Sequence, residues 1–356
     1  MIFLLLLLLP SQLGFHFWPD WALVNGIRVD YLSPTLYLTD LIILIIWAFN
    51  RVKVKVPLIS IILITLNIFF ALSPLTSIFK WLRVLEYFWL FKYLILKIDL
   101  KLKIKKLKFA ILWTSILAWM QFIKQSSIGG AWYWLGERSF NVFTPNIAKV
   151  FWEELILRPY ATFPHPNVLG GFLAIAGILS GGWISAIAFT TLIITFSRTA
   201  IFAALAAVIF LKRHYSLLPL LLLPLLIPGS PDSLIGRNDL IRTSLDIISS
   251  NPLFGTGLGN FVRLSSQPVH NVFLLAISEL GIPLGLIFAV WIIKFCLKIV
   301  NWKLKIALAA VMITASGDHY WWSIPQMQLL FTFFLAYAVK YSHGQLSDIY
   351  RRRIQR

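Results

Sequence analysis

The chain has 356 residues, of which 59% are hydrophobic and only 13% are charged, and its mean hydropathy is +0.80. Soluble domains have about 45–50% apolar and about 25% charged residues, and a water-soluble fold needs more polar side chains to cover its surface. These values argue against a cytosolic enzyme and a disordered chain, and the single cysteine argues against a disulfide scaffold. We therefore expect an all-α integral membrane protein.

Apolar runs of about 17–25 residues are long enough to cross a bilayer as helices. We predict about twelve such helices, with about ten as the lower limit, in a single membrane domain over residues 1–356. In chain order they lie near residues 1–17, 33–50, 57–73, 78–96, 109–123, 167–181, 183–197, 198–211, 215–229, 271–297, 305–317 and 324–341. The first run lacks the basic start and the small-residue cleavage site of a signal peptide, so we interpret it as a retained helix.

The net charge of +18, from 32 basic and 14 acidic residues, is typical of a membrane protein that follows the positive-inside rule. Lysine and arginine gather in segments that we predict to be cytoplasmic, namely 51–56, 97–108, 212–214, 298–305 and the basic tail 342–356. Most acids lie in the predicted extracytoplasmic segments 18–32, 124–166, 230–269 and 318–323. Both termini are then cytoplasmic. The lysine-rich stretch 97–108 favours contact with anionic membrane lipids over nucleic acid.

An unusual segment, R-P-Y-A-T-F-P-H-P-N at residues 158–167, closes the first long outer loop. Its prolines prevent a regular helix and hold the backbone extended. Ionisable and polar residues beside apolar spans are costly and are therefore candidates for function, here Arg158, His165 and Asn167. The alternative is a proline-rich helix entry with a snorkelling arginine.

A second candidate is the stretch T-F-S-R-T-A, where Arg198 lies between two apolar runs. An arginine on the outer side opposes the charge bias of the loops, and Ser197 places a hydroxyl next to it. We interpret Arg198 as a buried functional cation, with the tip of a helical hairpin as the alternative.

The third candidate region begins with the glycine-rich run N-P-L-F-G-T-G-L-G-N-F. Its G-x-G-x-G pattern is similar to a dinucleotide-binding loop, but neither a preceding strand nor a βαβ unit accompanies it. We expect a tight loop whose amides could face a phosphate. The candidate residues are Gly255, Gly257, His270, Asn271 and Glu279. His270 is either catalytic or a satisfied interfacial histidine, and Glu279 either belongs to the site or serves helix packing.

The motifs that the sequence lacks narrow the chemistry. There is no D-x-D, H-E-x-x-H, G-x-S-x-G, C-x-x-C or Walker A sequence, so metal-dependent sugar transfer, zinc proteolysis, serine hydrolysis, thiol exchange and ATP-driven reactions lack support. The remaining candidate is a site on the outer face that contains arginines and histidines. The planar guanidinium group of arginine can donate two parallel hydrogen bonds to phosphate oxygens. A transfer reaction that takes place outside the cell and does not use ATP needs a donor that is already activated and lies in the membrane. A polyprenyl-diphosphate-linked oligosaccharide fits this description, with no metal ion and no cofactor.

At these residues the sequence resembles the O-antigen ligase and O-antigen polymerase family, which includes bacterial protein O-oligosaccharyltransferases. The segment 158–167 is similar to the family motif R-x-x-G-T-F-x-H-P-N, with Ala161 where glycine is usual. F-S-R-T-A matches the S-R-T-A signature, and the glycine-rich run followed by H-N-V-F-L and E-L-G matches the outer loop and the next span. The specific part, residues 158–281, is the O-antigen ligase-like core.

The resemblance implies a metal-independent, inverting glycosyltransferase of the C-type architecture that lies in the bacterial inner membrane and acts in the synthesis of cell-surface polysaccharide such as lipopolysaccharide. Carried over by position, Arg158 and Arg198 are the expected contacts of undecaprenyl diphosphate, and His270 is the expected catalytic histidine. The acceptor is a glycan, a lipid or a protein. The choice between ligase, polymerase and protein O-oligosaccharyltransferase therefore stays open.

Further residues have secondary roles in the same hypothesis. His165 is the second choice of base, and Arg242 and Arg263 are further candidate phosphate contacts. Asp318 and His319 either orient the acceptor or the base, or form an ordinary interfacial pair beside aromatic residues. Two other classes of protein also stay open, a transporter or flippase of a lipid-linked glycan and a purely structural membrane protein.

Overall fold

The computed structural model describes residues 1–227 and 231–342, and this part of the chain is mostly helical. The α-helices are α1 (Ile2–Leu7), α2 (Leu38–Phe49), α3 (Leu58–Phe69), α4 (Pro74–Lys97), α5 (Leu100–Lys103), α6 (Leu107–Lys124), α7 (Pro166–Ser180), α8 (Gly182–Ile194), α9 (Arg198–Lys212), α10 (Pro231–Ser250), α11 (Val272–Lys298), α12 (Trp302–Gly317), α13 (Tyr320–Ser323) and α14 (Pro325–Tyr341). Helices of the 3₁₀ type lie at Asp20–Ala22, Ile104–Lys106, Gly130–Leu135, Tyr215–Leu226 and Phe261–Arg263. The helical character expected from composition is thus confirmed.

Short strands occur only in the connections between the described helices. They are β1 (Gly14–His16), β2 (Leu23–Val24), β3 (Ile27–Arg28), β4 (Thr35–Tyr37), β5 (Lys149–Trp152) and β6 (Glu154–Leu157). They form three antiparallel pairs, β1 with β4, β2 with β3 and β5 with β6. The first two pairs connect α1 to α2, and the third lies in the predicted outer loop 124–166.

Prolines and polar caps define where several helices begin. Pro74, Pro166 and Pro325 occupy the first turn of α4, α7 and α14, where a missing N–H costs no helical hydrogen bond. Asn271 caps α11 because its side chain accepts hydrogen bonds from two backbone N–H groups of the first turn. His270, the residue before this cap, is thereby held at the N-terminal end of α11.

Helix α7 lies in the core, and nearly all of its side chains are buried. Small residues bring α9 and α12 close to it and to each other. A Cβ on Gly170 would lie 2.8 Å from the Cβ of Ser197, and a Cβ on Gly317 would lie 2.4 Å from the Cγ2 of Thr199. The start of α9 therefore meets both the first turns of α7 and the end of α12.

Two predicted helices differ most from the structure, and proline explains both differences. The helix predicted over residues 1–17 extends only over Ile2–Leu7, because Pro10 has no N–H to continue it, and strand β1 follows. The helix predicted over 215–229 is a 3₁₀ helix at Tyr215–Leu226, because Pro219 and Pro224 lie inside it. Residues 228–229 of that prediction lie outside the described residues.

The predicted outer loop 230–269 contains a helix that hydropathy does not predict. Helix α10 is polar over much of its length, but Leu240 and Ile247 are buried against Phe261 and Leu275 in a cluster apart from the main core. The hydroxyl of Ser244 also lies 2.8 Å from that of a serine on α11. These contacts hold α10 against the first half of α11.

Within the described residues, one helix, Val272–Lys298, is both long and apolar enough to cross a membrane. It is kinked at Gly281, whose φ is +77°. The shorter apolar helices, of 10–17 residues, are Leu38–Phe49, Leu58–Phe69, Pro166–Ser180, Gly182–Ile194 and Tyr215–Leu226. The number of spans therefore stays a prediction.

Candidate active site

A hydrogen-bonded network joins four polar side chains where α7 and α11 begin and α12 ends. Nη2 of Arg158 donates to Oδ1 of Asn167 at 2.6 Å, and Nδ2 of Asn167 donates to Oδ2 of Asp318 at 3.0 Å. Oδ1 of Asp318 lies 3.4 Å from Nδ1 of His270. The structure thus connects a predicted phosphate contact, Arg158, to the predicted base, His270.

Arg158 is also fixed by the backbone at the end of α8. Its Nε donates to the carbonyl of Thr195 at 2.8 Å. Burial, together with the nearby charges of Arg237 and Arg198, lowers the pKa of Arg158 to about 10. The guanidinium therefore keeps its charge at neutral pH, and three arginines contribute positive potential to one region.

The backbone of the segment 158–167 is held by Gln121 of α6. Oε1 of Gln121 accepts hydrogen bonds from the N–H groups of Tyr160 at 3.0 Å and Ala161 at 2.8 Å, and Nε2 donates to the Ala161 carbonyl at 2.9 Å. Ala161 has a φ of +49°, in the left-handed region that favours glycine. The alanine therefore holds a left-handed backbone conformation, at a cost in backbone strain.

His165 caps the start of α7. Its Nδ1 accepts a hydrogen bond from the N–H of Asn167 at 3.1 Å. Burial and the charge of Arg158 lower the pKa of His165 to about 3, so the imidazole is neutral at neutral pH. Because Nδ1 accepts, the proton of the neutral ring is on Nε2. This geometry favours His165 as a hydrogen-bond donor and favours His270 as the base.

The Asp318 carboxylate lies at the centre of the network, and the residue is only 4% exposed. Its Oδ1 also accepts a hydrogen bond from the N–H of His319 at 2.8 Å. Burial acts to raise the pKa of Asp318, but the hydrogen bond with His270 and the attraction of His319 and His270 in their protonated forms outweigh it and hold the pKa well below its usual range. The side chain is therefore ionised at neutral pH and can orient the His270 ring.

His270 keeps a ring nitrogen available for chemistry. Its side chain is 20% exposed, and when Nδ1–H donates to Asp318, Nε2 carries the lone pair that accepts a proton. The neighbouring ring of His319 lies 5.3 Å away, and its Nδ1 lies 2.6 Å from Oγ of Ser323. Burial lowers the pKa of His319 to about 4, so it is neutral beside the pair.

The same cluster contains residue types that bind metal ions. Ligand atoms of His270, Asp318 and His319 lie within 4.8 Å of one another. However, both oxygens of Asp318 already accept hydrogen bonds, from the His319 N–H and from Asn167. Arg158 adds positive charge to the same region. Because both oxygens of Asp318 already accept hydrogen bonds, the geometry favours a hydrogen-bonded His–Asp pair over a metal site.

The other three predicted phosphate contacts are not hydrogen-bonded to this network in the described part of the chain. Arg198 donates to the carbonyl of Ile227 through Nε at 3.0 Å and through Nη2, and it reaches the network only through its charge. Nε of Arg263 donates to Oδ1 of Asn260 at 3.2 Å. Arg242 is exposed on α10. Arg158 is therefore the central cation of the site.

Two arginines that were not selected from the sequence lie beside the network. Nη2 of Arg138 donates to the carbonyl of Pro164 at 2.9 Å, and Nη1 of Arg237 lies 3.4 Å from the carbonyl of Gly317. Both arginines belong to predicted outer loops, where a basic residue opposes the charge bias. The same reasoning that selected Arg198 could therefore have found them.

The glycine-rich loop packs against helices. The N–H of Gly255 donates to the carbonyl of Asn251 at 3.0 Å, and the N–H of Gly257 donates to the carbonyl of Glu279 at 3.0 Å. Both glycines have positive φ, and a Cβ on Gly257 would lie 2.2 Å from the Cβ of Ala71. These amides are already paired within the protein, so the two glycines support the fold of the loop and do not present their N–H groups to a phosphate.

The remaining predicted supporting residues make structural contacts. The carboxylate of Glu279 accepts a hydrogen bond from Nε1 of Trp322 at 2.8 Å. Nδ2 of Asn271 donates to the carbonyl of Ser316 at 3.3 Å, which joins α11 to α12, and Ser197 is buried at the start of α9. These residues therefore fix the helices that carry the site.

Comparisons with known proteins add no further assignment. No protein-family model, no curated protein and no solved structure matches this chain. The functional assignment therefore depends on the residues and their geometry.

Proposed function

We propose that this protein is an integral membrane glycosyltransferase that moves a glycan from undecaprenyl diphosphate to an acceptor hydroxyl on the extracytoplasmic face of the bacterial inner membrane. The observation that carries this proposal is the network of Arg158, Asn167, Asp318 and His270, which joins a buried cation to an oriented base. The resemblance of the segments around Arg158 and His270 to the O-antigen ligase and polymerase family supports the same reaction.

In the proposed reaction, Nε2 of His270 takes the proton of the acceptor hydroxyl while the hydroxyl oxygen attacks the anomeric carbon of the donor sugar. A new C–O bond forms at this carbon as the bond to the diphosphate oxygen breaks, with inversion. The electron pair of the broken bond leaves with undecaprenyl diphosphate. Asp318 stabilises the imidazolium that forms, and a base positioned in this way contributes about 10²–10⁴-fold to the rate.

The cations stabilise the leaving group in this proposal. Arg158 is held by Thr195 and Asn167, so its charge is already in place when negative charge grows on the diphosphate. Arg198 and Arg237 add to the positive potential at Arg158. His165, with its proton on Nε2, supplies a neutral hydrogen-bond donor for a phosphate or sugar oxygen.

The distribution of lysines supports the proposed orientation in the membrane. Lys97 and Lys298 are the last residues of α4 and α11, and Lys340 lies in the last turn of α14. Lys340 donates to carbonyls at the end of α4, and the hydroxyl of Ser342 donates to the Lys298 carbonyl at 2.9 Å, so these three helix ends lie together. His270 lies at the opposite end of α11. The lysine-rich ends of these helices would then face the cytoplasm and the candidate site would face the outside, as the positive-inside rule requires.

The surface of α11 supports contact with lipid. Its most apolar stretch is only 22% buried in the protein, and Leu286, Ile287 and Ile293 are each more than half exposed. The core helix of a soluble protein would bury such side chains. A bilayer would cover them without a protein partner.

Reconstitution in vesicles tests the proposal. The purified protein receives undecaprenyl-diphosphate-linked oligosaccharide, with a second donor molecule, lipid A core or protein offered in turn as the acceptor. We expect a new glycosidic bond and released undecaprenyl diphosphate. His270→Gln should lower the rate by at least about 10²-fold, and His214→Gln, at an exposed histidine after α9, is the matched control.

The outcomes separate the enzyme from its main alternative. Equal rates for His270→Gln and the wild type would refute the catalytic assignment. Movement of intact donor across sealed vesicles without a new glycosidic bond would contradict the enzyme and favour a transporter.

A further inference from the structure

A polar cavity, which we call the polar chamber, lies beside the candidate active site. Its volume is about 270 Å³. This volume is near the lower limit of the about 300–1,000 Å³ that is usual for small-molecule sites, so the chamber fits one compact unit such as a single sugar. Its wall includes Tyr31, whose ring centre lies 5.6 Å from that of His319, and the His319 ring centre lies 5.3 Å from that of His270. One side chain, that of His319, therefore separates the chamber from the proposed base.

The chamber is built mostly outside the segment that resembles the ligase family. Its side chains come from the connection between α1 and α2, from the first half of α4, from the outer loop that contains Arg138 and from the start of α14. Among the described residues of 158–281, only Pro164 lines it. The motifs that support the proposed reaction therefore do not determine what the chamber binds.

Three lysine and arginine side chains line the chamber, and two of them have N–H groups without a partner in the described part of the chain. Arg83 is occupied, because its Nη1 and Nη2 donate to the two oxygens of Asp40 at 3.2 and 2.9 Å. Arg138 donates from Nη2 to the carbonyl of Pro164 at 2.9 Å, and among the described residues its Nη1 and Nε make no hydrogen bond. Nζ of Lys80 likewise has no hydrogen bond to any described residue. Lys80 and Arg138 can therefore donate to a ligand.

The acids near these two cations leave positive charge in excess. Asp30 is the one carboxylate among the described residues that line the chamber, and it is exposed to water. Glu279 acts on Lys80 through its charge. Its oxygens, however, already accept hydrogen bonds from Nε1 of Trp322 at 2.8 Å and from the N–H of Phe261 at 3.3 Å. A partly buried ammonium without a hydrogen-bond acceptor is costly, and an anionic ligand would supply the acceptor.

Neutral polar groups line the same chamber. Among the described residues, the side-chain amide of Gln12 and the hydroxyl of Tyr31 make no hydrogen bond. His16 uses its Nδ1, which lies 3.0 Å from Oγ1 of Thr35, and its Nε2 has no partner in the described part of the chain. Such groups donate and accept hydrogen bonds, which suits the hydroxyls of a sugar. An inorganic anion would leave them unused, so the combination of groups favours a sugar that carries an acidic group.

We propose that the polar chamber binds one acidic sugar unit of a glycan substrate. Lys80 and Arg138 donate charge-assisted hydrogen bonds to its carboxylate, and the neutral polar side chains bind its hydroxyls. The inference rests on the proposed function, because it names the class of glycan that this function uses. The undecaprenyl diphosphate stays at Arg158. The acidic unit belongs to the donor or to the acceptor glycan, which meet at His270, and transfer kinetics distinguish the two sources.

Binding of glucuronate and of glucose to the purified full-length protein tests the chamber, because these two sugars differ only in the carboxylate. A titration in detergent, followed by NMR of the ligand, gives the two dissociation constants. We expect the wild type to bind glucuronate at least about tenfold more tightly than glucose. Galacturonate and galactose form a second pair with a different ring stereochemistry. Equal binding of the acidic and the neutral sugar in both pairs, or binding of none of them, would overturn the proposal.

Substitutions at the two cations locate the carboxylate. Lys80→Met and Arg138→Met should each weaken the binding of glucuronate about tenfold and keep the binding of glucose within about threefold of the wild type. Lys80→Arg keeps the charge, so its binding of glucuronate should stay within about threefold of the wild type. Lys105→Met and Arg51→Met, at exposed positions that do not line the chamber, are the matched controls. Unchanged binding of glucuronate in either Lys80→Met or Arg138→Met would overturn the proposal.

Two further measurements separate the chamber from a general anion site and from a loss of folding. Inorganic phosphate should bind at least about tenfold more weakly than glucuronate, because it does not use the neutral groups. Equal binding of phosphate and glucuronate would overturn the proposal. Thermal unfolding checks that each variant is folded, and Lys80→Gln or Arg138→Gln replaces a methionine variant that does not fold.

Transfer kinetics with glycans that contain a uronate assign the source and separate this inference from the proposed function. Lys80→Met should raise the KM for the donor if the acidic unit belongs to the donor, and the KM for the acceptor if it belongs to the acceptor. A wild type that binds glucuronate through Lys80 but transfers no glycan would refute the proposed function and keep the chamber. Glycan transfer by Lys80→Met with unchanged KM values for both substrates would refute the chamber and keep the function.

Discussion

The substitution Asp318→Asn tests the His–Asp pair with a minimal change in size. It replaces an ionised carboxylate with a neutral amide of nearly the same shape. The carboxylate faces hydrogen-bond donors on both oxygens, namely Asn167 on Oδ2 and His270 with the His319 N–H on Oδ1. An amide has only one acceptor oxygen, so its NH₂ group must face one of these donors. The variant therefore loses both the charge and part of the hydrogen bonding that orients His270.

The magnitude of the effect follows from the distance between the two groups. When His270 takes a proton, the imidazolium and the Asp318 carboxylate lie 3.4 Å apart, and with an effective dielectric constant of about 20 their attraction is about 5 kcal/mol. The His270 side chain is 20% exposed, so water screens part of this attraction, and we expect a loss of about 3–4 kcal/mol from the transition state. This loss corresponds to a decrease in kcat of about 10²–10³-fold.

The assay is glycan transfer in vesicles at saturating donor and neutral pH, where Asp318 is ionised. Asp246→Asn, at an exposed position of α10, makes the same chemical change away from the site and should leave kcat unchanged. Thermal unfolding confirms that both variants are folded. A folded Asp318→Asn protein with a kcat within about threefold of the wild type would refute the role assigned to the pair.

Three further changes test the surroundings of the pair. Arg158→Lys should lower kcat about tenfold or more, because one ammonium cannot keep both the Nε bond to Thr195 and the Nη2 bond to Asn167. Steady-state transfer kinetics measure this effect, and an unchanged kcat would contradict the role assigned to these two hydrogen bonds. The stability of the wild type should fall as the pH drops from about 6.5 towards 3. The pKa of His165 in the folded state is lowered to about 3, so the unfolded chain binds more protons than the folded chain in this pH range. The melting temperature of His165→Gln should depend less on pH, and an equal dependence would argue against a neutral His165. Ala161→Gly should leave the free energy of unfolding unchanged or raise it by up to about 1 kcal/mol, because φ is +49° at this residue; denaturant unfolding measures it, and a clear loss of stability would show that the methyl group outweighs the strain.

Hydropathy predicted most of the helices well because long apolar runs have few other structures available to them. The run predicted at 167–181, for example, is the helix Pro166–Ser180, and the run predicted at 305–317 lies within Trp302–Gly317. Helix α10 could not be found in this way, since its buried side chains are few and its surface is polar. The prolines at 219 and 224 were visible in the sequence, and they explain the 3₁₀ helix there.

The candidate site was predictable residue by residue but not as a network. The motifs supplied Arg158, Asn167 and His270, because polar groups next to apolar runs are unusual. The position of Asp318 between them could not be read from one sequence, since it is 151 residues from Asn167 and 48 residues from His270.

The central claim is that His270 and Asp318 drive the attack of an acceptor hydroxyl on a glycan linked to undecaprenyl diphosphate. The most direct measurement counts released undecaprenyl diphosphate and new glycosidic bonds in the same single-turnover reaction, for the wild type and for His270→Gln. The wild type should release one lipid diphosphate for each bond formed, and the variant should produce almost none of either. Release without a new bond, or equal products from the variant and the wild type, would contradict the claim.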